Sequence, residues 1–192
     1  MIEDVDVIIL AAGLSRRMGA ENKLLMDMGG KPMARQTVEL YRRVFSSVHI
    51  VLGHEAADIK AALQGLGVSF IYNADYAAGH HSSVRCGLRA INNNKRAVLI
   101  ALADQPFLGD AELTAYARAY QDGAKDKAFI PFYQAQRGHP IIIPPALLNA
   151  FHAAGEDMTL RRFLDMHPEA VYHYSAPSVN FVKDVDRPDD LE

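Results

Sequence analysis

The sequence has very little cysteine, no long apolar run and no basic block. Since Cys86 is the one cysteine, the chain cannot form an internal disulfide, which is typical of a protein from the reducing cytoplasm. No apolar run reaches the roughly 18–20 residues of a membrane span. The first residues, Met1-Ile2-Glu3-Asp4, lack the positive charge of a signal peptide. The formal net charge of −3 argues against nucleic acid as a partner. We therefore expect a cytoplasmic protein that binds neither membranes nor nucleic acid.

Metal-binding patterns of histidine and cysteine are also missing. The chain has eight histidines, but none lies at a zinc-ligand spacing from a second suitable residue. His80 and His81 are adjacent, so their side chains would point apart in regular structure. We expect no zinc site.

The apolar segments that are present alternate between strand and helix patterns. Such alternation is typical of βαβ units and of a largely parallel sheet, and 192 residues suit a single domain over residues 1–192. Predicted strands cover 5–10, 48–52, 68–72, 97–103, 127–132, 140–143, 171–174 and 179–182. Predicted helices cover 33–45 and 56–63. Two more are predicted to begin at the N-caps Ser82-Ser83 and Asp110. A fifth follows Pro144, and a sixth begins at the N-cap Thr159.

The first predicted strand runs into small residues followed by cations. Leu10-Ala11-Ala12-Gly13 leads to Arg16 and then to Lys23. Small residues let backbone N–H groups approach a ligand, and the cations supply charge for a polyphosphate. A P-loop is excluded because Gly19 is followed by alanine, and a dinucleotide fingerprint because Ser15 replaces its second glycine. The residues leave two interpretations, a nucleoside-triphosphate loop or an ordinary strand-to-helix turn with surface arginines.

A carboxylate, Asp104, follows the most apolar predicted strand. It should lie at the same sheet edge as the small-residue loop, because ligands bind beyond the carboxyl ends of parallel strands. It would repel a phosphate unless a divalent cation such as Mg²⁺ lay between them. Asp184 and Asp186, two residues apart in an extended segment, project to one side, and either could complete a metal site. The alternatives are an Asp-x-Pro turn at Asp104 and an acidic solvated tail.

Beyond these patterns, the opening loop resembles the A-A-G-x-S-x-R-M-G signature of nucleotidyltransferases, especially the molybdenum-cofactor cytidylyltransferases. The resemblance extends over nearly the whole chain through the order of its motifs. It implies an α/β, single-domain, Rossmann-like nucleotidyltransferase fold with a mostly parallel central sheet flanked by helices. It also implies catalytic roles for Arg16, Lys23 and Asp104.

The resemblance assigns the nucleotide to two loops. The first comprises Leu10, Ala11, Ala12 and Gly13, with the phosphates held by Arg16 and Lys23. The second, residues 73–85, looks like the family's N-x-x-[YW]-x-x-G-x-x-[ST]-S-[LV]-[KR] loop, which lies against base and ribose. There Gly79 permits a close backbone approach, and Ser83 is the preferred ligand contact, although simple N-capping also explains one of the two serines.

Two later segments complete the implied site. Gly138-His139-Pro140 matches the family's cofactor-specific members, in which it lies next to the second substrate, and Arg137 adds a cation for the terminal phosphate of the pterin. A lone Gly-His-Pro is otherwise typical of a turn. The closing D-x-D-x-P resembles the segment that carries the second metal carboxylate, and we favour Asp186 over Asp184.

The implied reaction transfers a cytidylyl group from CTP to the terminal phosphate of molybdenum-molybdopterin and releases pyrophosphate. Mg²⁺ is the expected cofactor, with Mn²⁺ as its substitute, and a molybdoenzyme or its maturation chaperone is the expected protein partner. Guanylyl-transferring relatives read L-A-G-G, and the Ala12 methyl would crowd a purine, so CTP is predicted. The alternatives are a guanylyltransferase for the same cofactor, a cytidylyltransferase for another small phosphate, and a non-catalytic cofactor-binding chaperone.

Overall fold

The computed structural model describes residues 1–14, 22–91 and 95–185. Within these ranges an eight-stranded sheet is covered by helices on both faces. The strands are β1 (Ile2–Ala11), β2 (Phe45–Leu52), β3 (Ser69–Tyr72), β4 (Ala97–Leu102), β5 (Ala128–Tyr133), β6 (Gln136–Arg137), β7 (Ile141–Ile143) and β8 (Val171–Ser175). The α-helices are α1 (Met33–Val44), α2 (Ala56–Ala62), α3 (His80–Ile91), α4 (Asp110–Gly123), α5 (Pro145–Ala153) and α6 (Leu160–Met166). Short 3-10 helices lie at Lys23–Leu25, Tyr76–Ala78, Pro168–Ala170 and Val179–Phe181.

The packing of β1 shows why the sheet lies in the middle of the molecule. Side chains of a strand alternate between the two faces of a sheet. Val7 and Ile9 belong to one buried cluster, which includes residues of α1, α2 and α4. Ile8 and Leu10 belong to the other, with residues of α3, α5 and α6. A strand that is apolar on both faces needs a helical layer on each side, and this chain supplies both.

Half of the sheet is parallel, in the order β3-β2-β1-β4. The predicted largely parallel sheet is confirmed, and the apolar strand β4 lies between β1 and β7 as expected for a central strand. All four parallel strands end at the same border of the sheet, which we call the carboxyl edge. The loops that carry the predicted nucleotide contacts leave from this edge.

The other half of the sheet contains antiparallel pairs. β7 runs antiparallel to both β4 and β5, while β8 runs parallel to β5. Since Ile100 of β4 pairs with Ile141 at the start of β7, the residues that precede Ile141 lie near the carboxyl end of β4. This reversal brings the Gly138-His139-Pro140 segment to the carboxyl edge.

Three local predictions are wrong. Helix α3 begins at His80 because Gly79 adopts a φ of 110°, so Ser82 and Ser83 lie in its first turn and neither is the cap. The cap of α4 is Gly109, and the predicted cap Asp110 is the first helical residue. The predicted strand over 179–182 is the 3-10 helix Val179–Phe181, which begins where the Ser178 hydroxyl accepts a hydrogen bond from a backbone N–H.

The predicted Thr159 cap of α6 is confirmed, since its hydroxyl accepts the backbone N–H of Arg162. In the described ranges, none of the helices is long and apolar enough to cross a membrane.

Candidate active site

Asp104 stands at the carboxyl end of β4 on a backbone that is fixed from two sides. The N–H of Ala103 donates to the carbonyl of Leu10 in β1 at 3.1 Å. The Thr37 hydroxyl of α1 donates to the carbonyl of Ala103, also at 3.1 Å, and both partners are buried. The strand end therefore presents Asp104 in one defined position at the edge of the sheet.

Lys23 reaches the same position from the 3-10 helix Lys23–Leu25, which lies between β1 and α1. The Asn22 side chain caps the 3-10 helix by accepting the N–H of Leu24 at 3.1 Å, and the Leu24 side chain is buried. The chain then reverses through Gly29 and Gly30, whose positive φ values of 72° and 98° suit glycine, and returns to α1. These contacts fix the backbone that carries Lys23.

The structure brings three predicted parts of the site together at this point. Lys23 Nζ lies 2.6 Å from Asp104 Oδ2 and donates to the carbonyl of Val185 at 2.9 Å. The N–H of Val185 donates to the backbone carbonyl of Asp104 at 3.0 Å. The Lys23 and Asp104 side chains are only 13% and 20% exposed, so water screens their attraction incompletely. The predicted meeting of Lys23 and Asp104 is thus observed.

Val185 holds the predicted C-terminal metal segment against Asp104. Its side chain is fully buried, whereas the neighbouring Asp184 is exposed. Two predicted site residues, Arg16 and Asp186, lie outside the described residues. Their assignments stay predictions, and so does the choice between Asp184 and Asp186.

Asp104 offers an oxygen that suits a divalent cation. Its Oδ1 is buried and has no hydrogen-bond partner among the described residues, whereas Oδ2 contacts Lys23. A buried oxygen with no donor is unfavourable unless a partner arrives, and Mg²⁺ and Mn²⁺ prefer carboxylate oxygens. Among the residues that the structure describes, no three histidine, cysteine or acidic side chains are arranged to hold a metal. Asp104 therefore fits the expected Mg²⁺ as one ligand, and further ligands would come from elsewhere.

The small-residue loop leaves β1 beside Asp104. Leu10, Ala11 and Ala12 are buried, and Gly13 is exposed with open space around it. Ala12 packs tightly against Gly53 at the end of β2, because a methyl group added at Gly53 would lie 2.8 Å from the Ala12 methyl. The backbone of the loop is thus fixed at Ala12 and open at Gly13.

The second predicted nucleotide loop is tied to the start of α3 by one buried side chain. Asn73 accepts the N–H of Asp75 and donates to the hydroxyls of Ser82 and Ser83 at 2.9 and 3.1 Å. Ser83 is buried, so its hydroxyl orders this loop, and its predicted contact with a ligand is untested. Gly79 is exposed and has a left-handed φ, as its predicted close approach to a ligand requires.

Gly138-His139-Pro140 is a bulge between β6 and β7. Phe129 and Phe132 of β5 are three residues apart in the sequence. Their pairing partners, Ile142 of β7 and Arg137 of β6, are five residues apart, so two extra residues lie between β6 and β7. Gly138 and Pro140 are buried although the segment is polar in sequence, and His139 is partly buried. Bulges redirect side chains near functional sites, and this one presents His139 at the carboxyl edge.

Two imidazoles meet at this bulge. The rings of His80 and His139 lie 6.5 Å apart, edge to face, so α3 and the bulge converge. Burial lowers the pKa of His80, although the nearby Asp104 carboxylate counteracts the effect. Burial, aided by His80 and Arg137, lowers the pKa of His139 to about 3. Both rings are therefore neutral near pH 7. His80 is a further candidate for the site, and sequence reasoning missed it because nothing in its spacing marks it.

Arg137, the cation predicted to hold a substrate phosphate, lies beside the bulge. Its guanidinium is half-buried and donates to Asp165 of α6 at 3.3 Å. Burial lowers the pKa of Arg137, and Asp165 opposes that effect. The guanidinium remains a cation, and its contact with a phosphate of the second substrate stays a prediction.

Comparisons with known proteins identify the family of this chain. Residues 7–171 match the MobA-like NTP transferase domain. The chain is 26% identical to the molybdenum cofactor cytidylyltransferase of Escherichia coli, over 97% of this chain and 93% of that protein. It is 32% identical to the 2-C-methyl-D-erythritol 4-phosphate cytidylyltransferase of Frankia casuarinae, over 73% of this chain and 47% of that protein. It also matches the bifunctional protein GlmU of Chromohalobacter salexigens at 32% identity, over 58% of this chain but only 24% of the relative's length.

Solved structures share the fold. A Mycobacterium sp. strain JC1 homologue of Mycobacterium tuberculosis Rv0371c superposes with a TM-score of 0.77 over 97% of this chain and 92% of that chain, at 24% identity. A manganese complex of Rv0371c itself superposes with a TM-score of 0.67 over 91% of this chain and 89% of that chain, at 19% identity. The predicted fold and the predicted family of nucleotidyltransferases are both confirmed. The chain belongs to the MobA-like NTP transferase family.

Proposed function

We propose that this protein transfers a cytidylyl group from CTP to the terminal phosphate of a molybdopterin cofactor and releases pyrophosphate. One observation carries the proposal: Lys23, which follows β1, and Asp104, which follows the neighbouring parallel strand β4, meet at 2.6 Å beside the small-residue loop. The full-length similarity to a molybdenum cofactor cytidylyltransferase supports the choice of substrates.

In this reaction a phosphate oxygen of the cofactor attacks the α-phosphorus of CTP. A bond forms between that oxygen and phosphorus, the bond to the bridging β-oxygen breaks, and pyrophosphate leaves with its electron pair. A phosphate monoester is already anionic at pH 7, because its second pKa is about 6, so no general base is needed. The barrier is lowered by alignment and by neutralising charge.

The chain's own residues supply these two effects. Arg16 and Lys23 hold the β- and γ-phosphates and stabilise the leaving pyrophosphate. Contacts with the Asp104 carboxylate and the Val185 carbonyl hold Lys23 at the carboxyl edge. Asp104, with Asp186 or Asp184, would hold Mg²⁺ or Mn²⁺, which when bound neutralises phosphate charge.

The remaining residues bind and orient the two substrates. Leu10, Ala11, Ala12 and Gly13 contact the nucleotide from one side, and Gly79 and Ser83 from the other. Arg137, Gly138, His139 and Pro140 contact the cofactor, with Arg137 on its terminal phosphate. The imidazoles of His139 in the bulge and His80 in α3 are neutral, so they offer polar contacts without adding charge.

CTP is the proposed nucleotide because the buried Ala12 methyl narrows the base site. Gly53 and Tyr76 lie behind Ala12 with no spare room, since a methyl group on Gly53 would lie 2.5 Å from Tyr76 Cβ. The side of Ala12 that faces Gly53 is therefore tightly packed. One methyl group discriminates by about 1–3 kcal/mol, which gives roughly a 10- to 200-fold preference.

The direct test mixes purified protein with Mg²⁺, molybdopterin and either CTP or GTP at equal concentration. Pyrophosphate release and a cytidylated pterin in the mass spectrum are expected with CTP. A clear preference for GTP would instead indicate the guanylyltransferase alternative. Turnover with another small phosphate but not with molybdopterin would indicate a different cytidylyltransferase. Binding of the cofactor without release of pyrophosphate would indicate a non-catalytic chaperone.

Lys23→Ala tests the phosphate role. The variant should fold and lose at least about 100-fold in kcat, as expected when one transition-state donor is removed. Lys31→Ala is the matched control, because Lys31 lies in the same connection between β1 and α1, and its ammonium pairs with Glu39 of α1 at 2.6 Å and not with Asp104. A folded Lys23→Ala protein with near-normal turnover would overturn the assignment.

We further propose the cytoplasm as the compartment, with a molybdoenzyme or its maturation chaperone receiving the product. The free thiol of Cys86, whose pKa is raised by burial, is compatible with a reducing environment. Co-purification of the cytidylated product with an apo-molybdoenzyme would test the partner.

A further inference from the structure

The last described residues cross the carboxyl edge as a strap, defined here as Ser178–Val185. The strap starts at the N-terminal turn of α4 and ends between Asp104 and Lys23. Its middle contacts the Gly138-His139-Pro140 bulge. One short segment therefore touches both the proposed cofactor side and the proposed phosphate side of the site.

One side chain, Glu112 of α4, anchors the start of the strap. Its carboxylate accepts the Ser178 hydroxyl, the Asn180 amide at 3.1 Å and the N–H of Gly109 at 2.9 Å. Although burial raises the pKa of Glu112, these hydrogen bonds outweigh it and hold the pKa below its ordinary value. The anchor is therefore a charged acceptor of three hydrogen bonds.

The middle of the strap fixes the bulge by backbone contact. The carbonyl of Phe181 accepts the N–H of His139 at 2.8 Å. A Cβ atom on Gly138 would lie only 2.2 Å from the same carbonyl oxygen, so the two backbones touch. The Phe181 ring is fully buried against Tyr116, which holds the strap at this depth.

The end of the strap fixes the charged pair. Val185 donates its N–H to Asp104 and accepts Lys23 Nζ on its carbonyl. Between these contacts, Lys183 Nζ lies 4.1 Å from the centre of the Phe107 ring, just after Asp104 in the chain. A shift of the strap would therefore move His139, Lys23 and Asp104 relative to one another.

We propose that Glu112 is a positioning residue for the reaction, acting through the strap on His139 and on the Lys23–Asp104 pair. This inference rests on the proposed function, because it names a residue that aligns the same site. Glu112 touches neither proposed substrate, and its effect is transmitted by hydrogen bonds along the strap. Small displacements of aligned groups can reduce a rate by roughly 10- to 100-fold.

The test compares Glu112→Gln with Asp110→Asn. Glutamine has one acceptor oxygen and adds a donor, so at least one of the three donors around Glu112 loses its partner. Asp110 is the matched control, because it lies in the same helical turn but is exposed, and its carboxylate pairs with Arg43 at 2.8 Å and not with the strap. Both substitutions remove one negative charge near the start of α4.

Two measurements are made on each protein. In steady-state cytidylyl transfer, Glu112→Gln should lower kcat about tenfold or more and raise the KM for the pterin, while Asp110→Asn matches the wild type. In hydrogen exchange, the His139 and Val185 amides should exchange at least tenfold faster in Glu112→Gln, while amides of β1 and β4 keep their protection. Ser178→Ala combined with Glu112→Gln should be no slower than Glu112→Gln alone, because both act on the same contact.

The outcomes separate this inference from the proposed function. Wild-type protein that releases no pyrophosphate contradicts the proposed function, while the hydrogen-exchange arm still tests the strap. Unchanged His139 and Val185 exchange in Glu112→Gln overturns the positioning role. Loss of protection across β1 and β4 also overturns it, because Glu112 would then stabilise the fold as a whole. Unchanged kcat and KM in a variant with a loosened strap likewise contradict it.

Discussion

The neutral His139 imidazole should make the stability of this protein depend on pH. Burial lowers its pKa from 6.5 to about 3 in the folded chain. In the unfolded chain the pKa of the ring is near its ordinary value of 6.5. Below that pH the unfolded state therefore binds a proton that the folded state does not bind. The contribution is therefore fully present above about pH 6.5 and is lost as the pH falls towards 3. At pH 5, about 1.5 units below the unfolded pKa, the free energy of unfolding is therefore lower by about 2 kcal/mol, at about 1.36 kcal/mol per unit.

Urea denaturation of wild type and His139→Asn at pH 7 and pH 5 measures this contribution. The wild type should lose about 2 kcal/mol more than the variant between the two pH values, or roughly 5 °C in Tm for a chain of this size. His173→Asn makes the same substitution at an exposed imidazole stacked on Phe132 and controls for the loss of a ring. If His139→Asn loses as much stability on acidification as the wild type, the ring is not held neutral by burial and the reasoning is refuted.

Three further substitutions test contacts that shape the site. Gly138→Ala should lower the free energy of unfolding by about 1–3 kcal/mol, because its methyl would overlap a backbone carbonyl, while Gly123→Ala in open space should be neutral or slightly stabilising by chemical denaturation. Thr159→Ala should cost about 1 kcal/mol through the lost cap of α6, and an unchanged urea midpoint would contradict the capping role. Gly53→Ala should reduce kcat/KM for CTP at least tenfold, because the added methyl group displaces Ala12, while circular dichroism should show little change in secondary structure. A variant with wild-type kinetics would show that the loop tolerates the shift of Ala12.

The parallel half of the fold could be predicted because its strands are apolar on both faces. A run such as Ile8-Ile9-Leu10 needs a helical layer on each side, so its neighbours in sequence had to be helices. The meeting of Lys23 and Asp104 could be predicted for the same reason, since parallel strands end at one edge. Periodicity therefore gives the architecture and the side of the sheet on which chemistry occurs.

The rest depended on contacts between distant segments, which periodicity does not report. The stretch 179–182 is apolar enough for a strand, but it pairs with none of the described strands and forms a 3-10 helix that is capped by Ser178. The bulge at Gly138 is visible only when the pairing of β5 with β6 and β7 is known. His80 enters the site because α3 begins two residues earlier than the serine pattern indicates.

The strap also has a consequence for how the molecule is made. Lys23 and Val185 are separated by 162 residues, yet the ammonium of one bonds the carbonyl of the other. Lys23 is synthesised first, Asp104 later and Val185 later still. Lys23 and Asp104 are therefore both present in the nascent chain before Val185 can bond to them. The contacts of Lys23 and Asp104 with Val185 can therefore form only after the strap has been synthesised, so the order of translation delays completion of this edge of the sheet.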